Sequence, residues 1–339
     1  MMQEFKEEEA MDPRNEEEFR KIAMSQRRSQ IALVIPTLNA AGEWRALLEG
    51  IRKQTILPQQ LIIIDSSSSD GTATHARNAG FEVIEIDRKE FGHGRTRQIG
   101  AERANAANIL IYLTQDAIPS NSTTFENILQ TFDDPAIGAA YGRQLPRQSA
   151  KPLEAHARLF NYPGSSRVRT WECRRTLGFK SIFFSNSFAA YRREALMSVG
   201  GFPPDVIFGE DTVVAARLHR SGWKTAYVAN ALVFHSHSYS ISEEFKRYFD
   251  IGVLHARESW LVEEFGTADR EGLGFALSEI RFLLAHDVLS IPSSVVRTVT
   301  KYLGYQVGKR ESQIGVRLKS HLGRNKDYWL RSYRDQQPQ

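Results

Sequence analysis

The sequence predicts an α/β fold with a mostly parallel central sheet flanked by helices. Three observations carry this. Short apolar and β-branched runs recur between residues 31 and 114. Segments with helical spacing separate them. Most of the runs do not alternate with polar residues, as befits strands covered on both faces. Strand–helix alternation of this kind is the pattern of a parallel sheet with crossover helices.

The elements follow in order. "IALVIP" is a strand closed by Pro36, and "AGEWRALLEGIRKQ" is a helix with apolar residues at Trp44, Leu47, Leu48 and Ile51. "QLIIID" is a second buried strand, and "GTATHARNAG" is a helix that Gly80 stops. "FEVIEI" alternates and gives a third strand, "GRTRQIGAERANA" a helix, and "NILIYLT" a fourth strand. Past Asp133 the pattern loosens. "IGAAYGRQLP" reads as a strand, "PLEAHARLFNY" as a helix, and "PGSSRVRTWECRRTLG" as a mobile polar loop. "SIFFSNSFAAYR" reads as a strand pair, "REALMSVGG" as a short helix, and "KTAYVANALVFHS" as strands. "GEDTVVAARLHRSG" opens on two acids, which suit a helix N-terminus. From about Ser242 the chain reads as helices. The expected organisation is an acidic flexible tail (1–28), a catalytic domain (29–240) and a C-terminal helical region (241–339).

Composition narrows the class. Of 339 residues, 41% are hydrophobic and 25% charged, ordinary values for a globular chain. Cys173 is the one cysteine, which excludes an intrachain disulfide and fits a reducing, cytoplasmic setting. The N-terminus is acidic and has no apolar stretch, so it does not read as a signal peptide. No run reaches the ~18 apolar residues of a spanning helix. The net charge of +4 is uneven: between Arg297 and Arg334 stand ten Lys or Arg against Glu311 and Asp327. With no nucleic-acid motif present, nucleic acid is not an expected partner. The basic helical region leaves open packing, a homo-oligomer contact, or an in-plane contact with anionic lipid.

Polar residues gather where the strands end, and ligands of such sheets bind outside the carboxyl ends. Strand one delivers Pro36, Thr37 and Asn39; strand two, Asp65, Ser68 and Asp70; the third leads to His93, Arg95 and Arg97; the fourth, Gln115 and Asp116. Any one of these reads equally as a cap or turn, but their concentration on one edge does not. Asp65 suits a base N–H, small serines admit a ribose, and Arg95 and Arg97 carry forked donors for phosphate oxygens. "GHGRTRQIG" is not a dinucleotide fingerprint, because Arg97 stands where the third glycine would fall. Asp116 offers a hard oxygen to a divalent cation. Together these residues point to handling of a nucleoside diphosphate. His235 and His237, two apart, share a face on a strand and read either as a packed pair or as ligands. Trp171 is a candidate sugar platform.

"IPTLNA", "IIIDSSSSDGT", "YLTQDAIP" and "FGEDTVVAARLHRSG" resemble, in order, the motifs of family 2 glycosyltransferases of the GT-A (nucleotide-diphospho-sugar transferase) fold, over about residues 31–237. More narrowly, "FGHGRTRQIGA", "YGRQLPR", "PLEAHARLFNYP", "SNSFAAYRREAL" and "HSHSYS" are similar to bacterial rhamnosyltransferases of O-antigen and related polysaccharide assembly. The resemblance implies inverting transfer of L-rhamnose from dTDP-β-L-rhamnose to a saccharide or polyprenyl-linked acceptor, with Mg²⁺ or Mn²⁺. It implies that Thr37, Asn39 and Asp65 hold base and ribose, that Arg97 lies near the diphosphate, and that Asp211 is the catalytic base beside Glu210. Asp116 matches the second aspartate of the family's metal-binding pair, and Thr114 stands in place of the first. His235 matches a histidine that joins the metal in some relatives. A family 2 enzyme using a UDP-sugar, a nucleotidyltransferase and a non-catalytic sugar-nucleotide-binding scaffold are the rival readings. The nucleotidyltransferase lacks support, since no glycine-rich phosphate loop occurs between Ile31 and Gly50.

Overall fold

The computed structural model describes residues 31–267 and 269–334, so the acidic segment 1–28 lies outside the described residues. The first half runs β1 (Ile31–Thr37), α1 (Ala41–Arg52), β2 (Gln60–Asp65), α2 (Thr72–Asn78), β3 (Glu82–Glu85), α3 (His93–Arg103) and β4 (Ile109–Leu113). Then come β5 (Ile118–Pro119), α4 (Thr124–Leu129), β6 (Ile137–Leu145), α5 (Pro152–Asn161), β7 (Arg167–Arg169), α6 (Arg174–Leu177), β8 (Phe188–Arg192), α7 (Arg193–Ser198), α8 (Glu210–Arg220) and β9 (Lys224–Phe234). The strands form one sheet in the order β3-β2-β1-β4-β8-β6-β9-β5, with β7 on β9.

The first four strands pair in parallel, as their crossover helices require. Beyond β4 the sheet is mixed. β8 runs antiparallel to both β4 and β6, while β6 and β9 are parallel. The register Leu113↔Phe188 puts the start of β8 at the carboxyl edge of β4, and Leu145↔Phe234 brings the ends of β6 and β9 to the same side. Side chains of β4 alternate between two cores, as strand geometry dictates. Leu110 and Tyr112 join Val34 and Ile64 on one face, and Ile111 and Leu113 join Leu33 and Ile35 on the other. All four β4 residues are fully buried. The carboxylate that follows therefore emerges from a strand with no exposed face.

Three segments differ from the sequence expectation. Residues 163–178 contain the ordered strand β7, a 3-10 turn and α6 rather than an unstructured loop. "SIFFSNSFAAYR" supplies one strand, β8, not two, because Asn186 is drawn out of sheet pairing into the polar contacts described below. "KTAYVANALVF" is a single strand with a register shift opposite Gly142 and Arg143. Gly94 of "GHG" is required by packing. A Cβ on Gly94 would lie 1.8 Å from the carbonyl oxygen of Pro203, so only glycine lets α3 approach the segment leading to α8.

The C-terminal helices are α9 (Ile241–Arg257), α10 (Ser259–Phe265), α11 (Asp269–His286), α12 (Ile291–Lys309), α13 (Val316–Leu322) and α14 (Lys326–Arg334). They are built into the catalytic core. Leu254, Leu261 and Phe265 share a core with Tyr141 and Val213, and Phe249, Val253 and Trp329 close over Ile207. α9 and α12 meet backbone to backbone, since a Cβ on Gly308 would lie 2.1 Å from Phe249 O. Arg331 of α14 donates to the carbonyls of Lys89 and Phe91, tying the last helix to the loop before α3. No described helix is long and apolar enough to cross a membrane.

Candidate active site

One wall is made by the ends of β1 and β2. Thr37 Oγ1 and Ser68 Oγ donate to Asp65 Oδ1 at 2.9 and 2.6 Å, and Ser68 N donates to Oδ2 at 2.8 Å. Asp65 thus uses three of the roughly four acceptor positions of a carboxylate, leaving about one for a ligand N–H. Asn39 adopts a positive φ of 50°, which asparagine tolerates, and its Oδ1 accepts from Ser69 N, locking the two loops together. Gln115 grips Leu38, accepting from its N–H and donating to its carbonyl. Pro36 is half-buried inside β1 and shapes the wall without a polar contact of its own.

At the ends of β4 and β9, Asp116, His235 and His237 converge, with one ligand atom from each within 4.8 Å of the others. His235 Nε2 lies 3.4 Å from Asp116 Oδ1, and His237 Nε2 lies 3.3 Å from Oδ2. The Gln144 amide fixes the His235 tautomer. Its Nε2 donates to Ser185 Oγ, so its Oε1 faces His235 Nδ1 at 2.8 Å and that nitrogen carries the neutral ring's proton. In the neutral ring His235 Nε2 then carries no proton and faces a carboxylate oxygen at 3.4 Å, a gap that a proton on the ring, a water or a metal cation bridges. Burial holds both histidines below the ordinary imidazole value, His237 at about 4, although Asp116 pulls the other way. Burial opposes ionisation of Asp116, but its contacts with His235 and His237 outweigh this and hold it well below the carboxylate range. One carboxylate and two imidazoles are a donor set for a divalent transition metal such as Mn²⁺, and suit it better than Mg²⁺, which prefers oxygen ligands. Thr114 contributes no second carboxylate, and His237 adds a nitrogen that the sequence left open between packing and ligation. Arg147 supports the cluster: its guanidinium grips Glu43 at 2.7 and 2.8 Å and donates to Asp116 O at 2.6 Å.

Across the cleft, α8 begins with Glu210 and Asp211. The two acids have opposite surroundings. Glu210 is buried, and its Oε1 receives Arg97 Nη1 at 3.1 Å and Asn186 Nδ2 at 2.9 Å. Burial opposes its charge, but Arg97 outweighs that and keeps Glu210 ionised. Asp211 is half-buried and has only backbone donors, Asn186 N at 3.0 Å and Thr212 N at 2.8 Å. Burial first, and the Glu210 charge second, raise Asp211 to about 7. Such a group can take up a proton near neutral pH. Asn186 is the hinge of the arrangement, since Tyr191 Oη also donates to its Oδ1 at 2.6 Å. The "SNS" motif was visible in the sequence, but nothing there pointed to a contact with α8.

Sequence reasoning put Arg95 and Arg97 at a diphosphate. The structure pairs both with carboxylates. Arg97 is buried against Glu210, and Arg95 sits half-exposed at 3.2 Å from Glu90 and 3.9 Å from Asp205. Arg97 acts on Glu210, and through it on Asp211, rather than presenting a free fork to the cleft. Trp171 does not present a sugar platform either: the Arg174 guanidinium covers its ring at 3.8 Å and Phe265 meets it edge-on.

A mixed sheet whose carboxyl edge carries a polar wall, a metal-competent cluster and a raised carboxylate fits a nucleotide-sugar transferase class, and the comparisons agree. The description "Glycosyl transferase family 2" matches residues 32–200. The chain belongs to that family. It is 43% identical over 301 residues to the O-antigen chain rhamnosyltransferase RfbN of Salmonella typhimurium, covering 88% of this chain and 96% of the relative. It is 43% identical over 298 residues to WbaN of Salmonella anatum, another O-antigen chain rhamnosyltransferase, covering 88% and 95%. Among solved structures, the mannosyltransferase PcManGT of Pyrobaculum calidifontis, described in complex with GDP-Man and Mn²⁺, shares the fold. The TM-score is 0.55 at 18% identity, covering 91% of this chain and 88% of that one.

Proposed function

We propose that this protein is an inverting transferase that moves L-rhamnose from dTDP-β-L-rhamnose onto a saccharide or polyprenyl-linked saccharide in O-antigen-type polysaccharide synthesis. The observation that carries the reading is that a raised carboxylate, Asp211, and the Asp116–His235–His237 cluster meet through the start of β8, where Asn186 N donates to Asp211 and Ser187 O accepts from Thr114 N. The near-full-length similarity to two rhamnosyltransferases supports the sugar. Thr37, Asn39, Asp65 and Ser68 hold the nucleoside. Asp211 takes the acceptor hydroxyl proton as the acceptor oxygen bonds to C1, the C1–O bond to the diphosphate breaks, and the electron pair leaves on the diphosphate oxygen. A divalent cation held by Asp116, His235 and His237 would supply charge stabilisation to that leaving group. Glu210, paired with Arg97, stays ionised, and its charge keeps Asp211 basic. A panel of nucleotide sugars, read as released nucleoside diphosphate, tests the donor. Turnover is expected on dTDP-rhamnose; turnover on a UDP-sugar with none on dTDP-rhamnose overturns the donor assignment.

The location we propose is cytoplasmic, peripheral at the inner membrane face. The helical hairpin α11–α12 supports it. Leu273, Leu277, Leu284, Val296, Val299 and Leu303 are each 50–65% exposed along its outer faces, and Leu289 at the tip is 92% exposed. No acid occurs between Val288 and Arg310, while Arg297, Lys301, Lys309 and Arg310 do. An apolar face with basic flanks suits anionic lipid. Leu284→Glu with Leu289→Glu is expected to reduce co-sedimentation with phosphatidylglycerol vesicles at least tenfold. Unchanged vesicle binding, or a wild-type dimer that these changes split, would instead make the hairpin an oligomer contact.

A further inference from the structure

With Arg95 and Arg97 both paired with carboxylates, guanidinium donors for a diphosphate, beside a cation at the Asp116 cluster, are to be sought elsewhere. We infer that Arg247 of α9, with Arg324 beside it, forms a diphosphate subsite contributed by the C-terminal helices and shared between the two sides of the cleft. The inference rests on the proposed transferase reading and deepens it.

The placement is geometric. The Arg247 guanidinium lies 4.8 Å from the Phe208 ring and 5.8 Å from the Tyr239 ring. Phe208 is three residues before Asp211, and its ring meets His93. Tyr239 stacks on His237 at 5.2 Å, and His237 lies against Asp116. Arg247 therefore stands between the loop that ends in the base and the loop that carries the metal-competent histidines. Arg324 lies over the same Tyr239 ring at 4.9 Å. Two cations thus share one aromatic ring.

Neither cation is neutralised by an ion pair. Among the described residues, Arg247 makes ring contacts but no salt bridge or side-chain hydrogen bond, and Arg324 donates only through its backbone N, to Asp250. The acids nearby have other partners: Glu243 accepts from Ser240, Glu210 pairs with Arg97, Asp211 accepts from the Asn186 and Thr212 backbone, and Asp250 accepts from the Arg324 backbone. Two unpaired guanidiniums, held in place by aromatic rings with their forks unused, are a site made for phosphate oxygens. Attachment of this pair to α9 and to the α13–α14 connection gives the C-terminal helices a role in the reaction.

The diphosphate has two sources, the donor nucleotide and a diphosphate-linked lipid acceptor. The test compares wild type, Arg247→Ala, Arg247→Lys and the double Arg247→Ala/Arg324→Ala, each checked for an unchanged thermal midpoint. Probes are inorganic pyrophosphate, dTDP and thymidine, with Mg²⁺ present. Wild type is expected to bind pyrophosphate and dTDP; the double variant is expected to lose at least tenfold for both while thymidine binding stays constant, and Arg247→Lys to recover part of the loss. If dTDP binding is intact but KM rises at least tenfold for a diphosphate-linked acceptor, and not for a diphosphate-free glycoside, the subsite stands and serves the acceptor. If wild type binds pyrophosphate through these arginines but no nucleotide, the subsite stands and the transferase reading fails. Equal pyrophosphate, dTDP and acceptor behaviour in wild type and double variant overturns the subsite.

Discussion

Asp211→Asn is expected to lower the transfer rate by about 10²–10⁴-fold, the usual contribution of a positioned base, while dTDP affinity stays at the wild-type value. The amide keeps an oxygen for one of the two backbone donors, Asn186 N on Oδ2 or Thr212 N on Oδ1, and cannot take up the acceptor proton. The same carboxyl sets the pH profile. With Asp211 raised to about 7, the rate of wild type should climb through that pH as the carboxylate forms, and the climb should vanish in the asparagine variant. The stability sign is opposite to that of an ordinary paired carboxylate. A folded-state value above the unfolded 3.8 means the native state holds the proton more tightly, so the group's contribution is lost as pH rises through about 7. Asp211→Asn should therefore show an unchanged or higher thermal midpoint at pH 8. A wild-type rate in this variant would remove Asp211 from the base role.

Asp116→Ala is expected to abolish the response of the enzyme to added Mg²⁺ or Mn²⁺ and to reduce turnover at least ~10²-fold, since a metal Lewis acid contributes several kcal/mol to leaving-group charge. His235→Ala should act in the same direction, because Gln144 aims its Nε2 at the same point. Thr114→Asp supplies the carboxylate the sequence lacks two residues before Asp116, and should tighten metal binding measured by titration calorimetry. Activity that ignores EDTA, together with a silent Asp116→Ala, would exclude a metal role for the cluster.

Much of this site could be read from the chain because strand ends announce themselves. Asp65 and Asp116 each close an unbroken apolar run, and a parallel sheet places such ends on one edge. The burial of β4 on both faces followed from the same runs. What could not be read were contacts set by the antiparallel strand β8 and by the return of the C-terminal helices. Asn186 reaches α8 only because β8 starts at the carboxyl edge, and no local signal in "SNS" encodes that. The carboxylate partners of Arg95 and Arg97 were hidden for a related reason. A guanidinium's partner is decided in three dimensions, and Glu210 stands 113 residues after Arg97 in the chain while touching it in the fold. Arg247 looked like one charge among many on an amphipathic helix, and only its seat between Phe208 and Tyr239 marks it out.

A site with one available base, Asp211, and with Glu210 tied to Arg97 and Asn186, is built for single-displacement transfer. The most direct measurement is the anomeric configuration of the product formed from dTDP-β-L-rhamnose, read by NMR from the one-bond C1–H1 coupling. An α-L-rhamnoside is expected. A β-L-rhamnoside would mean retention and would contradict single displacement.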